Sequence, residues 1–309
     1  MDRCAAHTGS LSLEVIQGNK IFLSQLTEMR PAPLEGLEPT LNQRTFSIIG
    51  PGRAGMAIAK ALANNGWVIS RVAGRSIEHA QSLAEKLGAM ACIAADVGIG
   101  VELIIIATPD SAISETAQIV SVQAESGALL IHLAGATGVE ALEGVRSTRP
   151  DLVLGSLHPL QTLSDDNAFE KLQGAFCAAE GPPEIEGLAR ELGLTPFSVL
   201  PENRSAYHAT AVVASNHLVA LMGQVERMAN NAGVPFEAFA PLARTAIEAA
   251  LISGPATALT GPVSRGDTAT IEAHLRVIDS SEVAVYKALA RDALRLSGRD
   301  DAALEELLS

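Results

Sequence analysis

From residue 45 to about residue 201, short β-rich apolar runs alternate with stretches whose apolar positions recur at helical spacing. The runs are TFSIIG, WVISRVAGR, ACIA, VELIIIATP, ALLIHLAG, LVLGSLHP, GAFCAAE and TPFSVLP. Between them an alanine-rich stretch ending near Gly66, IEHAQSLAEKLG and EIEGLARELG read as helices. Strands alternating with helices are the mark of a parallel sheet with crossover connections. The pattern predicts an α/β fold of about eight strands, a doubly wound Rossmann-type parallel sheet.

After Pro201 the pattern changes. The remainder is rich in alanine and leucine, contains no convincing strand, and predicts helices over about 202–231, 235–252, 268–278 and 281–297. Pro241, Gly254, Pro255, Gly261 and Pro262 punctuate this part. The expected organisation is therefore a nucleotide-type domain over 45–201 and an all-helical domain over 202–309. Residues 1–44, with scattered charges and a cluster of prolines between Pro31 and Pro39, read as a poorly ordered extension.

The turn after the first strand carries the clearest chemistry. In GPGRAG, Gly50, Gly52 and Gly55 match G-x-G-x-x-G, directly after a strand and opening a helix. The first glycine allows a tight turn, the second lets backbone approach a pyrophosphate, and the third lets helix and strand pack closely. Arg53 and Ala54 lie at the helix N-terminus, where free N–H groups and a partial positive charge favour phosphate. An NAD site wants an acidic residue about 20 residues further on. Here the chain has AGRS, with Arg75 and Ser76, a guanidinium and a hydroxyl that suit a 2′-phosphate. The expected cofactor is NADP(H). At the end of VELIII, Thr108 and Pro109 are placed to line the nicotinamide side, and Asp110 reads as a cap of the next helix.

Charge and composition narrow the partners. Nearly half of the 309 residues are hydrophobic, enough for a sizeable core. A net charge of -13 argues against nucleic acid and against an anionic membrane surface. The longest apolar stretch, ATAVVASNHLVALM, is too short and too polar to span a membrane. Cys4, Cys92 and Cys177 form neither a disulfide framework nor a zinc motif, and a reducing cytoplasm fits them. No pair of His or carboxylate residues has convincing metal-ligand spacing, so no metal is expected.

Three later stretches carry polar groups among apolar ones. In GSLHPLQT, His158 stands at a strand end and Gln161 follows it; histidine is the usual acid or base near neutral pH. RSAYHATAVVASNHLVAL reads as a helix apolar nearly all round, which implies burial. At roughly 100° per residue His208 and Ser215 nearly superimpose on it, with Arg204 and Asn216 on the flanks and Tyr207 to one side. Such an arc lines a site or forms a structural network. In ALTGPVSRGDTATIEAHL, Gly266 reads as a turn and Asp267 as a helix cap, with Arg265 free to hold a substrate carboxylate. The chain has no lysine between Lys171 and Lys287, which leaves histidine as the candidate for proton transfer.

With GPGRAG, IIIATPD, HLAGATG, GSLHPLQT, YHATAVVASNHLVAL and LTGPVSRGD in hand, the sequence from about 45 to 309 resembles the bacterial Rossmann-like proteins whose C-terminal part is called domain of unknown function 2520. That family belongs with the 6-phosphogluconate-dehydrogenase-like group. The resemblance implies an NADP-type Rossmann domain, an all-helical second domain and a homodimer. LHPL is similar to the His-Pro motif of prephenate dehydrogenases, whose histidine contacts the reacting hydroxyl, and this favours His158. LTGPVSRGDTATIEAHL is similar to the carboxylate-binding loop and helix of pyrroline-5-carboxylate reductases, but lacks their serine-proline-glycine-glycine pattern. Ketopantoate reductases and β-hydroxyacid dehydrogenases rely on a lysine absent here.

Two functions follow as expectations. One is an NADP-dependent oxidoreductase for a small carboxylate-bearing carbonyl, imine or hydroxyacid. In it His158 or His208 exchanges the proton, Asn216 bonds the reacting atom with Ser215 and Gln161 nearby, and Arg265 holds the carboxylate. The other is a non-catalytic NADP(H)-binding sensor or partner-binding module, which needs only the first domain.

Overall fold

A computed structural model of the chain describes residues 43–164 and 167–309. The expected extension over 1–44 therefore lies almost wholly outside the described residues. The chain divides into two compact units, which part between Ala211 and Val212. The sequence pattern places its change of character earlier, after Pro201. The first helical turns beyond that proline pack with the sheet unit, through Arg204, Tyr207 and His208.

The first unit is built on one eight-stranded sheet: β1 (Thr45–Ile49), β2 (Val68–Ala73), β3 (Met90–Ala91), β4 (Leu103–Ile106), β5 (Leu129–His132), β6 (Val153–Pro159), β7 (Phe176–Glu180) and β8 (Thr195–Phe197). Its order is β3-β2-β1-β4-β5-β6-β7-β8. All pairs are parallel except β6 with β7, which run antiparallel. The sheet is thus the doubly wound, mainly parallel one expected, with a single antiparallel junction. The connection after β6 carries a short 3₁₀ turn, Ala168–Leu172, rather than a crossover helix, so the chain returns along the neighbouring edge.

The helices are α1 (Arg53–Asn64), α2 (Ile77–Leu87), α3 (Ile113–Ser121), α4 (Glu143–Arg146) and α5 (Pro183–Glu191). Two cores flank the sheet. Ile48, Leu103, Ile105 and Ile131 meet α1, α2 and α5 through Ile58, Leu62, Leu83 and Leu188 on one face. Ile49, Ile104, Ile106 and Leu130 meet α3 and α4 through Ile113, Val120 and Val145 on the other. Successive residues of β4 serve opposite cores, which is why LIII is apolar without a break. Leu103, Ile104, Ile105 and Ile106 are all fully buried.

One register line crosses this sheet near its strand ends. Ile49 pairs with Ile106, Ile106 with His132, His132 with Ser156, and Ser156 with Glu180. Directly paired residues share a face. His132, Ser156 and Glu180 therefore form a polar row at the end of an otherwise apolar surface, and His132 and Ser156 are completely buried.

Helix α6 (Arg204–Val212) closes the first unit with all but its last residue. In the second, a π-helical turn, Val213–His217, leads into α7 (Leu218–Asn231); α8 (Ala240–Ser253), α9 (Pro255–Ala258), α10 (Pro262–Arg265), α11 (Thr268–Val277), α12 (Ser280–Ser297) and α13 (Ala302–Leu308) follow. This unit is helical, as expected. Val263, Ile271, Ala290, Leu294, Leu304 and Leu308 close a small core among α10 to α13. The run 202–231 departs from expectation in two ways. It is not buried within the single chain: only Arg204, Gln224 and Ala229 of its residues are. The π turn also breaks the uniform 100° step that superimposed His208 and Ser215, because i→i+5 bonding spreads one turn over more residues.

Candidate functional site

The β1–α1 turn has the geometry its glycines predict. Gly50 sits at φ +70°, in the left-handed region, and a Cβ on it would lie 2.8 Å from Thr108 Cγ2. A Cβ on Gly55 would lie 2.8 Å from Ala107 Cβ and 3.1 Å from Ile48 Cδ1, so helix and sheet approach too closely for a side chain. Gly52 differs: nothing stands within 4 Å of its Cβ position. It is the N-cap of α1, no side chain caps that end, and the first turn holds no acidic residue. Arg53 is exposed and Ala54 half-buried. The N–H groups of this turn therefore face an open surface of positive potential.

At the end of β2, Arg75 is exposed and Ser76 caps α2, accepting from the His79 N–H at 3.3 Å. No carboxylate occupies the strand end Ala73-Gly74-Arg75. Thr108 Oγ1 is buried without a hydrogen-bond partner, and Pro109 beside it is exposed. Asp110 does not cap the next helix. A 3₁₀ turn, Asp110–Ala112, intervenes before α3, and Asp110 Oδ2 accepts from Thr137 Oγ1 at 3.2 Å.

The loop after β5 is held from three sides. His132 Nδ1 accepts from the Ala134 N–H at 3.3 Å, which leaves Nε2–H to donate to the Gly138 carbonyl at 2.9 Å. Burial keeps this imidazole below its ordinary pKa, so it is neutral. Arg204 reaches the loop from α6. Its Nε donates to the Gly135 carbonyl at 3.0 Å, and its Nη2 to Ala134 O, Thr137 O and Ser156 Oγ at 3.1–3.2 Å. Glu180 lies 3.4 Å from Arg204 Nη1 and accepts from the Val139 N–H at 2.8 Å and from Ser156 Oγ at 3.3 Å. Arg204 is thus a buried tie between helix, loop and sheet rather than the flank of a ligand-facing arc.

Three rings meet at this loop. A Cβ on Gly135 would lie 2.7 Å from His158 Nε2 and 2.6 Å from His208 Cδ2, so both imidazoles close on the glycine. The His158 and His208 ring centroids are 6.0 Å apart. On its other side His158 Nδ1 is 2.6 Å from the Tyr207 hydroxyl. Burial first, then the charges of His208 and Arg204, push the His158 pKa down to about 4. Burial pushes the Tyr207 phenol up to about 12.

The structure brings His158 and His208, two alternative proton-transfer candidates of the sequence, to one loop and adds Tyr207, which the sequence set to one side. His132, Glu180 and Gly135 were missed. Their signal was legible: a polar residue at the last position of each of LLIH and FCAAE, and a glycine inside HLAGATG. Gln161 is spent on its own loop, donating to the Lys171 carbonyl at 3.3 Å and accepting from the Thr162 N–H at 2.8 Å. In the second unit, Ser215 Oγ donates to Asn216 Oδ1 at 2.9 Å. Arg265 is exposed at the end of α10, Gly266 follows in the left-handed region, and Asp267 caps α11 through the Thr270 N–H at 3.1 Å. Both readings of the turn and the cap hold. Among the described residues, no group of three or more His, Cys, Asp or Glu is placed to hold a metal ion.

Two family profiles match this chain. One describes a Rossmann-like domain and covers residues 34–159. The other describes the domain of unknown function 2520 and covers residues 176–293. The chain thus joins a Rossmann-like domain to a domain of unknown function 2520. The second profile begins at β7, so its first elements complete the sheet of the first unit.

Solved structures agree on the fold. A Bacteroides fragilis protein, named provisionally as an NADP oxidoreductase, is 26% identical, with a TM-score of 0.71 over 82% of this chain and 98% of that one. The imine reductase of Myxococcus stipitatus in complex with NADP+ is 16% identical, with a TM-score of 0.58 over 86% of this chain and 100% of that one. The 1-pyrroline-5-carboxylate reductase of Streptococcus pyogenes is 17% identical, with a TM-score of 0.55 over 82% and 97%. No curated protein matches the sequence. Among the described residues no helix is long and apolar enough to cross a membrane.

Proposed function

We propose that this protein is an NADP-dependent oxidoreductase acting on a small carboxylate-bearing carbonyl, imine or hydroxyacid. The observation that carries the reading is the shared sheet edge. The glycine turn after β1, Thr108 after β4, the pinned loop after β5 and His158 at the end of β6 all stand at the carboxyl ends of parallel strands, where such sheets take their ligands.

The residues present fit a dinucleotide. The open position at Gly52 and the uncapped, acid-free start of α1 suit a pyrophosphate bound by Gly50, Gly52, Arg53, Ala54 and Gly55. Thr108 Oγ1 is a buried hydroxyl lacking a partner, and with Pro109 it would line the nicotinamide. Arg75 and the start of α2 at Ser76 would receive a 2′-phosphate. When bound, the reduced cofactor supplies a hydride; the chain supplies position and a proton. The name of the Bacteroides fragilis relative and the NADP+ in the imine reductase support this choice of cofactor.

Asn216, with Ser215 hydrogen-bonded to it, is proposed to hold the reacting oxygen or nitrogen, and Arg265 the substrate carboxylate. The proposed domain roles are cofactor binding over 45–201 and substrate binding with dimerisation over 202–309. Exposed apolar side chains on the second unit support a homodimer: Val219 is 70% exposed, Leu251 81% and Ile252 87%. The buried free thiols Cys92 and Cys177 suit a cytoplasmic setting.

The deciding experiment measures binding of NADPH and NADH to the wild type and to Arg75→Ala, followed by a screen of small oxo and imino acids for NADPH oxidation. The expected result is tight NADPH binding that weakens selectively in Arg75→Ala, with turnover of at least one acid. Binding without turnover of any acid points to the sensor reading instead. Failure of well-folded protein to bind either cofactor overturns both.

A further inference from the structure

Resting on that reading, we propose that Tyr207, not a histidine, is the proton donor of the site, and that His158 positions its hydroxyl and returns its proton. The 2.6 Å bond between His158 Nδ1 and the Tyr207 oxygen carries the proposal, together with the packing of His158 Nε2 against Gly135 beside His208. The imidazole is thereby held with one nitrogen on the phenol and the other toward the ring of a partly exposed histidine.

An imidazolium acid is poorly suited to this place. Burial first, then His208 and the Arg204 guanidinium, oppose a positive charge on His158; the Asp110 carboxylate favours one more weakly than either. The phenol faces Arg204, His158 and Cys177, and stays protonated throughout the physiological range. Its ring is held edge-on by Phe197, with centroids 5.8 Å apart, and edge-on by His158 at 5.7 Å. A neutral, fixed hydroxyl at a strand end is a proton donor that needs no ionisation to be ready.

In the reducing direction a bound reduced nicotinamide would supply the hydride, and this chain's part is to deliver the proton. The C=O or C=N π pair moves onto the heteroatom, which takes the Tyr207 proton. The Tyr207 oxygen then takes the proton from His158 Nδ1, while His158 Nε2 takes one from the His208 side. The imidazole ends neutral with its proton on Nε2; loss of that proton to solvent and reprotonation of Nδ1 restore the starting tautomer, so that one solvent proton is consumed per turnover. No charge accumulates on the buried ring at either end of the cycle.

Two measurements test the assignment, one of which needs no substrate. In histidine-labelled protein, nitrogen NMR should find His158 neutral from about pH 8 to about pH 5, with an Nδ1 resonance that moves in Tyr207→Phe. A His158 that titrates near the ordinary value and ignores Tyr207→Phe overturns the pairing. In single-turnover NADPH oxidation with an acid found in the screen, Tyr207→Phe should slow turnover by roughly 10²- to 10⁴-fold while NADPH affinity is kept. His158→Asn, whose amide can replace Nδ1–H, should retain more activity than His158→Leu. A Tyr207→Phe protein that turns over at the wild-type rate overturns the proposal but leaves the oxidoreductase reading standing. Loss of NADPH binding in the wild type overturns that reading, and the NMR experiment still decides the pairing.

Discussion

Arg204 Nη1 stands 3.4 Å from Glu180 Oε2, with the arginine side chain 4% exposed and the glutamate 14%. The pair joins α6 to the end of β7. Through Ser156 and the carbonyls of Ala134, Gly135 and Thr137 it also fixes the loop on which the three rings converge. Breaking a buried pair leaves a charge without compensation. Arg204→Met should therefore cost about 3–5 kcal/mol, read from the urea midpoint. Arg204→Met combined with Glu180→Gln should lose less than Arg204→Met alone. Equal losses would mean that the guanidinium acts through the carbonyls and not through the carboxylate.

Gly135→Ala would place a methyl group 2.6–2.8 Å from His208 and His158. The imidazoles or the loop must move, at a cost of about 1–3 kcal/mol in stability. Because the displaced ring carries the bond to Tyr207, turnover should fall by at least about tenfold while NADPH affinity changes little. Steady-state kinetics beside a cofactor titration separates the two effects.

The three glycines of the β1–α1 turn should separate in the same way. Gly52→Ala meets open space, so its stability should stay within about 0.5 kcal/mol of wild type, while NADPH binding weakens because the methyl group stands where the backbone must approach the ligand. Gly55→Ala meets Ala107 and Ile48 and should destabilise by about 1–3 kcal/mol before any ligand is added. Thermal denaturation with and without NADPH reads both outcomes.

The pH dependence of stability follows from His158. Its folded pKa, about 4, lies below the ordinary value of 6.5. Between those values the unfolded chain binds more protons, so stability rises with pH and is lost as pH falls from about 6.5 toward 4. Buried His132, also shifted down, adds to the loss in the same direction. His158→Asn should remove part of this slope, by an amount on the order of 1–3 kcal/mol between pH 7 and pH 4. Urea denaturation at a series of pH values measures it; an unchanged slope would show that His158 titrates alike in the folded and unfolded chain.

The exposed apolar face of the second unit should be covered in solution. Light scattering should report a dimer, and Leu251→Glu with Ile252→Glu should shift it to monomer, because a carboxylate cannot be buried there unpaired. A wild-type monomer at micromolar concentration would refute the homodimer.

By itself the sequence determined the elements and the glycine turn. Period-two runs, helical spacing and the G-x-G-x-x-G glycines are local signals, written in consecutive residues, and they sufficed for eight strands, a helical second part and the Gly50–Gly55 turn. The tertiary structure alone decided who meets whom. His132, Ser156 and Glu180 come from three separated strands and align only through sheet register, one pair of which is antiparallel. Tyr207 looked peripheral on a helix of uniform pitch, yet the packing of α6 sets its hydroxyl on His158. Arg204 stood on the flank of an arc that could line a site or form a structural network, and its burial against Glu180 makes it a structural tie. Local propensity is a property of neighbours in the chain, whereas hydrogen-bond partners and proton affinities are set by distance and desolvation, which only the folded chain defines.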